Sequence, residues 1–190
     1  MASRRYAMLI DLERCIGCHT CSVACKQEHQ VPIGVWRTWV KVVEKGRFPA
    51  VSVSFLPLMC NHCERPPCVT VCPVKATWRR EDGIVVIDPH RCIGCRYCMA
   101  ACPYGMRYLD PIKKVAAKCD WCLSRIMRGE KPACVEACPT GALIFGDIEE
   151  EGSEVRRRLS QEAFQVIKPE AGTGPHVYYL GLDLEAVEAV

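Results

Sequence analysis

The chain has 190 residues, a formal net charge of +3, 49% hydrophobic residues and 7% aromatics, and its sixteen cysteines are counted among the hydrophobics. The apolar core is therefore thinner than the percentage suggests, and no stretch approaches the roughly 18 consecutive apolar residues of a membrane-crossing helix. The basic runs Arg79-Arg80 and Arg156-Arg157-Arg158 are short and lack interleaved aromatics, so a solvated or partner-facing surface is expected and no nucleic-acid partner.

In chain order, Tyr6 to Asp11 reads as a short strand that feeds a first cysteine clump, Cys15-Cys18-Cys21-Cys25. Ser3-Arg4-Arg5 is not expected to be a twin-arginine export signal, because the apolar stretch after it is cut at Asp11 and runs straight into Cys15. Cys25 is followed by Lys26 and not by proline, so the helix leaving this clump is expected to continue through Gln27 and Glu28. In the Cys-free insert Val31 to Met59, Val35 to Glu44 and Val51 to Phe55 are strand-like and joined by Lys45-Gly46-Arg47-Phe48-Pro49, which predicts a hairpin. Two uses for it stand level: a packing cover, which Trp36 and Trp39 would suit, and a docking surface for a partner.

A second clump follows, Cys60-Cys63-Cys68-Cys72, then an Asp82-Gly83 turn and a strand at Ile84 to Asp88. The third clump is Cys92-Cys95-Cys98-Cys102 and the fourth Cys119-Cys122-Cys134-Cys138. Beyond Phe145 come the acidic Glu149-Glu150-Glu151, a helix over Val155 to Gln161, a Gly174-Pro175 turn and a strand at His176 to Leu180. This tail is expected to wrap the cysteine core and not to form a second domain.

The third clump is a complete C-x2-C-x2-C-x3-C-P run, the spacing by which bacterial ferredoxins hold iron-sulfur clusters. Cysteines three apart on a curling loop reach three iron corners of a cubane, and the fourth ligand comes from another run. Sixteen thiolates suit four 4Fe-4S clusters. Gly17 and Gly94 lie inside the first and third loops, where the lack of a Cβ is expected to let backbone N–H groups approach the cluster sulfurs. A disulfide framework fits poorly, since thiols three apart in a row of three are not a bridging pattern. Zinc fits poorly as well, since the triplets leave no separated CxxC pair for it. His19, His62 and His90 sit beside cysteines, but every ligand position is already supplied, so surface or hydrogen-bonding roles are expected. Trp121, between two ligands, is expected to shield its cluster from water. No catalytic dyad, triad or phosphate loop is present, so no catalytic residue is assigned.

The chain repeats itself. Ile10-Asp11-x-x-Arg14-Cys15-Ile16-Gly17-Cys18 recurs 77 residues on as Ile87-Asp88-x-x-Arg91-Cys92-Ile93-Gly94-Cys95. Cys68-Val69-x-x-Cys72-Pro73-x-x-Ala76 is matched by Cys134-Val135-x-x-Cys138-Pro139-x-x-Ala142. With only 19 residues between Cys72 and Cys92, clumps two and three form a compact inner unit, and clumps one and four close around it. The exchange of final ligands then gives four sets: Cys15, Cys18, Cys21 with Cys138; Cys25 with Cys119, Cys122, Cys134; Cys60, Cys63, Cys68 with Cys102; and Cys72 with Cys92, Cys95, Cys98. The expected fold class is α+β, with nested tandem bacterial-ferredoxin-like units. The outer unit takes residues 1–30 and 112–148, the inner unit 57–111, the hairpin insert 31–56 and the tail 149–190. Folding is expected to depend on cluster insertion, and four clusters of about −2 each would turn the net charge to about −5.

Four clumps in this order, with Cys60-Asn61-His62-Cys63, Pro66-Pro67-Cys68, Cys102-Pro103-Tyr104, Lys118-Cys119-Asp120-Trp121-Cys122 and Lys168-Pro169-Glu170-Ala171-Gly172-Thr173-Gly174-Pro175, resemble the electron-transfer subunit of complex iron-sulfur molybdoenzymes. That group contains DMSO, polysulfide, thiosulfate and respiratory arsenate reductases. The resemblance implies single-electron relay between a large molybdopterin (Mo or W) catalytic subunit and a multi-spanning membrane subunit that handles quinone, and it supports the nested pairing. It also implies membrane association through those partners, on the periplasmic face by co-export with a partner's signal, or alternatively on the cytoplasmic face. Relatives such as membrane nitrate reductase carry Trp where this chain has Cys95, and Cys95 implies a full cubane. The alternatives are an equivalent subunit of a hydrogenase or formate dehydrogenase complex, or a free polyferredoxin.

Overall fold

The computed structural model describes residues 4–183 and Val187, so Ser3 and the end of the expected tail lie outside the described residues. Strand β1 (Tyr6–Asp11) is apolar from Tyr6 to Ile10, as suits a strand covered on both faces. It is the centre of a three-stranded sheet, antiparallel to β8 (Leu143–Asp147) and parallel to β9 (Val177–Leu180). Met8 and Ile10 face a core that also contains Cys21, Cys60, Cys63, Cys119 and Cys134. Ala7 and Leu9 face Val155 of α6 (Glu154–Gln161). Among the described residues no helix is long and apolar enough to cross a membrane.

Between β1 and β8 the chain runs through α1 (Thr20–His29), the hairpin β2 (Thr38–Arg47) and β3 (Ala50–Met59), α2 (Pro67–Thr70), β4 (Thr77–Arg79), β5 (Val85–Ile87), α3 (Tyr97–Ala100), β6 (Tyr108–Leu109), β7 (Ala116–Ala117), α4 (Leu123–Ile126) and α5 (Ala133–Glu136). Helix α1, with no proline behind Cys25, continues through Gln27 and Glu28 to ten residues. Its repeat partner α3 stops after four, just before Cys102-Pro103. Helix α1 packs on α5 and α2 packs on α3, so the contacts join clump one to four and clump two to three.

The hairpin forms, with bounds that differ from the expectation at both ends. Val35 lies outside β2 because the Lys26 ammonium gathers the carbonyls of Pro32 (2.8 Å) and Val35 (2.7 Å), taking that stretch out of the ladder. At the tip, Lys45, Gly46 and Arg47 stay paired with Ser52, Val51 and Ala50, leaving a two-residue turn at Phe48-Pro49. Gly46 has φ +90°, a conformation an L side chain rarely adopts. The near half buries Val40, Leu56, Leu58 and Met59, while Phe48 is 92% exposed and Val42, Val51 and Val53 are also exposed.

The tail runs over the second clump. Glu64 N–H donates to Gly174 O (2.7 Å), Arg65 N–H to Thr173 O (2.9 Å) and His176 N–H to Asn61 O (2.8 Å). Glu64 also accepts from Arg5 and Arg79, both at 2.7 Å, which ties the N-terminal end and β4 to the same point. Helix α6 is anchored to β1 by Arg158, which donates to Asp11 at 2.9 Å and also pairs with Glu162.

Candidate metal centres

Two cavities lie side by side in the inner part of the molecule. One is lined by Cys72, Cys92, Cys95 and Cys98, the other by Cys60, Cys63, Cys68 and Cys102. Each draws three cysteines from one clump and one from the other, as the ligand exchange requires. Around the second, burial, helped by Cys60, Cys68 and Cys102, pushes the Cys63 thiol up to about 12 against the Thr173 hydroxyl.

The remaining eight cysteines influence one another across clumps one and four. Burial raises Cys15 against the Gly17 N–H, and the neighbours that add to the shift are Cys138 and Cys18. Cys21 is raised by burial, with Cys15 and Cys18 contributing. Burial lifts Cys25 to about 12 against Arg37, with Cys122 the thiol that contributes most. Cys119 and Cys134 are fully enclosed and pushed well up, chiefly by burial, and both feel Cys25. Cys18 and Cys95, which are equivalent in the repeat, are the two exposed cysteines.

Cys72 and Cys138 run the other way, and their local sequence explains it. Burial would raise Cys72, but the backbone N–H groups of Ala76, Thr77, Val74 and Lys75 outweigh it and hold the thiol below its ordinary value. At Cys138 burial is outweighed by N–H groups of Leu143, Ala142 and Thr140 and by the Thr140 hydroxyl. In both Cys-Pro turns the residue three beyond the cysteine is left-handed, Lys75 at φ +50° and Gly141 at φ +62°. That conformation curls the following N–H groups back onto sulfur, and Gly105 at φ +64° repeats it after Cys102. Hydrogen bonds of this kind stabilise thiolate, the form in which cysteine binds a metal.

The Gly17 N–H does reach the Cys15 sulfur, and the loop glycines are required for a second reason as well. A Cβ on Gly17 (φ +67°) would lie 2.7 Å from Phe55 Cγ and nearer still to the ring edge, and one on Gly94 (φ +68°) 2.5 Å from the Lys114 carbonyl oxygen. These glycines admit neighbouring protein against the backs of the loops.

His19 and His90 are exposed and His62 is fully buried, its Nδ1 accepting from the Val85 N–H at 3.0 Å. Trp121 is 1% exposed, stacked on His62 at 3.9 Å and edge-on to Phe145, in the core that Cys60, Cys63 and Cys119 share. Two side chains that touch cysteine sulfur gave no signal in the sequence. His29 Nε2 lies 3.2 Å from Cys122 Sγ, and Arg107 Nη2 donates to Cys68 Sγ at 2.9 Å. The partners are 93 and 39 residues apart.

Around one zinc ion, thiolates stand about 2.3 Å from a common point. Among the described residues no three His, Cys, Asp or Glu side chains converge on a single ion. The inner thiols instead surround two cavities, each drawing on two clumps, and their sulfurs accept backbone N–H bonds. That donor set fits a group presenting several iron corners to all-cysteine ligands, and the site is that of a ferredoxin-type iron-sulfur protein.

Comparison with known proteins agrees. Residues 14–76 and 51–148 each match a family model described as a 4Fe-4S dicluster domain. The chain is 52% identical to the B subunit of tetrathionate reductase from Salmonella typhimurium, over 94% of this chain and 73% of that protein. It is 41% identical to the B polypeptide of polysulfide reductase from Wolinella succinogenes, over 93% and 94%. With the thiosulfate reductase electron transfer subunit PhsB of Salmonella typhi it shares 47%, over 84% of each chain. The chain belongs to the family of 4Fe-4S dicluster iron-sulfur subunits represented by these three proteins.

Proposed function

We propose that the chain relays single electrons through four 4Fe-4S clusters, as the electron-transfer subunit of a respiratory reductase of the polysulfide, thiosulfate, tetrathionate, DMSO or arsenate type. Its partners in this reading are a large molybdopterin catalytic subunit and a membrane subunit that reacts with quinone, with the complex on the periplasmic face. The observation that carries the proposal is the meeting of thiols from different clumps around common cavities, three from one and one from the other. Kinship to proteins named as the B components of reductases supports the assembly.

The ligand sets are Cys15, Cys18, Cys21 and Cys138; Cys25, Cys119, Cys122 and Cys134; Cys60, Cys63, Cys68 and Cys102; and Cys72, Cys92, Cys95 and Cys98. Packing of α1 on α5 and of α2 on α3 supports the nested division into outer (1–30, 112–148) and inner (57–111) units, and the hydrogen bonds of the tail to residues 61–65 support its role as a wrap. When bound, the clusters supply one-electron storage and no bond-making on a substrate. The protein's own contribution is to hold the thiolates, to donate N–H groups to their sulfurs and to keep water from the site that contains Cys119 and Cys134, which are buried beside the buried Trp121.

Anaerobic purification tests this directly. About sixteen iron and sixteen sulfide per chain are expected for four cubanes, with EPR signals after dithionite and a co-purifying large chain that contains molybdopterin. Zinc in place of iron would overturn the cofactor reading. A loaded but solitary monomer would overturn the complex in favour of a free polyferredoxin.

A further inference from the structure

Arg107 is a buried cation between the two inner cavities, and it lines both of them. It is 6% exposed. Its Nη2 donates to Cys68 Sγ at 2.9 Å and to Thr77 Oγ1 at 3.1 Å, while its Nη1 is buried with no hydrogen-bond partner. Among the described residues no carboxylate pairs with it. Arg37, the corresponding cation near the outer thiols, differs on this point, because Asp120 neutralises it at 3.1 Å. An uncompensated charge at such depth is costly unless a negative group faces it. The groups facing Arg107 are cysteines of both inner sets, Cys68 and Cys60 on one side and Cys98 on the other.

Resting on the four-cluster reading above, we propose that Arg107 sets the reduction potentials of both inner sites. One guanidinium, shared between them, favours the one-electron-reduced state at each. An all-cysteine 4Fe-4S group with four thiolates carries about −2 oxidised and one negative charge more when reduced. A fixed cation therefore stabilises the reduced form more than the oxidised form, and the potential rises. Its hydrogen bond to Cys68 of one set and its interaction with Cys98 of the other fit a charge placed for two sites, not a fork fitted to one. By the same reasoning the inner pair accepts electrons more readily than it would between neutral walls.

The test is an EPR-monitored redox titration of the anaerobically purified, fully loaded protein and of its R107Q and R107K variants. Dithionite supplies the electron that each site takes up, and ferricyanide removes it. Iron and sulfide are assayed on each sample. Expected for R107Q is a full complement of iron and a downward shift of two of the four potentials by at least tenfold in the oxidised-to-reduced ratio, about 59 mV for a one-electron couple. R107K, which keeps the charge and loses the fork, should stay within about twofold of the native protein. Four unshifted potentials in loaded R107Q would overturn the proposal while leaving the cluster assignment standing. Native protein without iron would instead overturn the assignment. If R107Q loses a cluster, R107K decides: restored iron and near-native potentials support the role of charge, and a Lys variant that also loses iron, or shifts tenfold, refutes it.

Discussion

Replacing Gly17 with alanine separates two costs that the loop imposes. At φ +67° a Cβ carries a conformational penalty of about 1–2 kcal/mol. It would also lie 2.7 Å from Phe55 Cγ, within the hairpin strand that packs on this loop. Pushing a ring aside adds roughly 1–3 kcal/mol of overpacking, so G17A should cost about 2–5 kcal/mol. G34A isolates the first cost, since Gly34 has φ +88° and nothing within 4 Å of the added carbon. The decisive variant is G17A in an F55A background, where only the conformational part remains and the cycle should return a coupling of about 1–3 kcal/mol. Anaerobic guanidinium titrations of the loaded proteins, followed by cluster absorption and circular dichroism, read all of these. G17A no costlier than G34A, or G17A equally costly with and without the Phe55 ring, would refute the packing argument. G94A supplies a contrast, because its obstacle is the Lys114 backbone carbonyl, which no side-chain truncation can relieve.

Lys75 holds by strain the left-handed position that Gly105 and Gly141 hold freely, so K75G should raise stability by roughly 1 kcal/mol in the same titration. His176 is kept below its ordinary imidazole value first by burial and then by Arg5 and Arg79, against the pull of Glu64. The folded state thus binds fewer protons than the unfolded chain, and stability is lost as pH falls below about 6.5. H176Q should lose less stability than the native protein between about pH 7 and pH 5, and equal slopes would show that His176 is not part of the acid sensitivity. Removing iron with a chelator should collapse the circular dichroism signal, because cysteines are interleaved with the apolar core around Met8, Ile10 and Trp121. A native-like spectrum after stripping would show that packing alone suffices.

Strand β1 was legible to the residue because it is apolar from Tyr6 to Ile10, as suits a strand covered on both faces. The continuation of α1 beyond Cys25 was legible because proline is missing there. The hairpin's existence showed in its β-branched residues, but its bounds did not, since the capture of the Pro32 and Val35 carbonyls by Lys26 is decided by tertiary structure. Helices α2, α4 and α5 have four residues each, too few to display a 3.6-residue period. The 4Fe-4S character of the cysteine clumps followed from their spacing. Arg107 and His29 did not, because nothing local ties them to the sulfurs they touch.

The exposure of Cys18 and Cys95, matched across the internal repeat, has a consequence for how the molecule ages. Dioxygen and peroxide reach these two sulfurs first, so damage should start at one centre in each half and advance inward, with the buried thiols Cys119 and Cys134 affected last. A partner seated over either opening would act as a cork as well as a conductor.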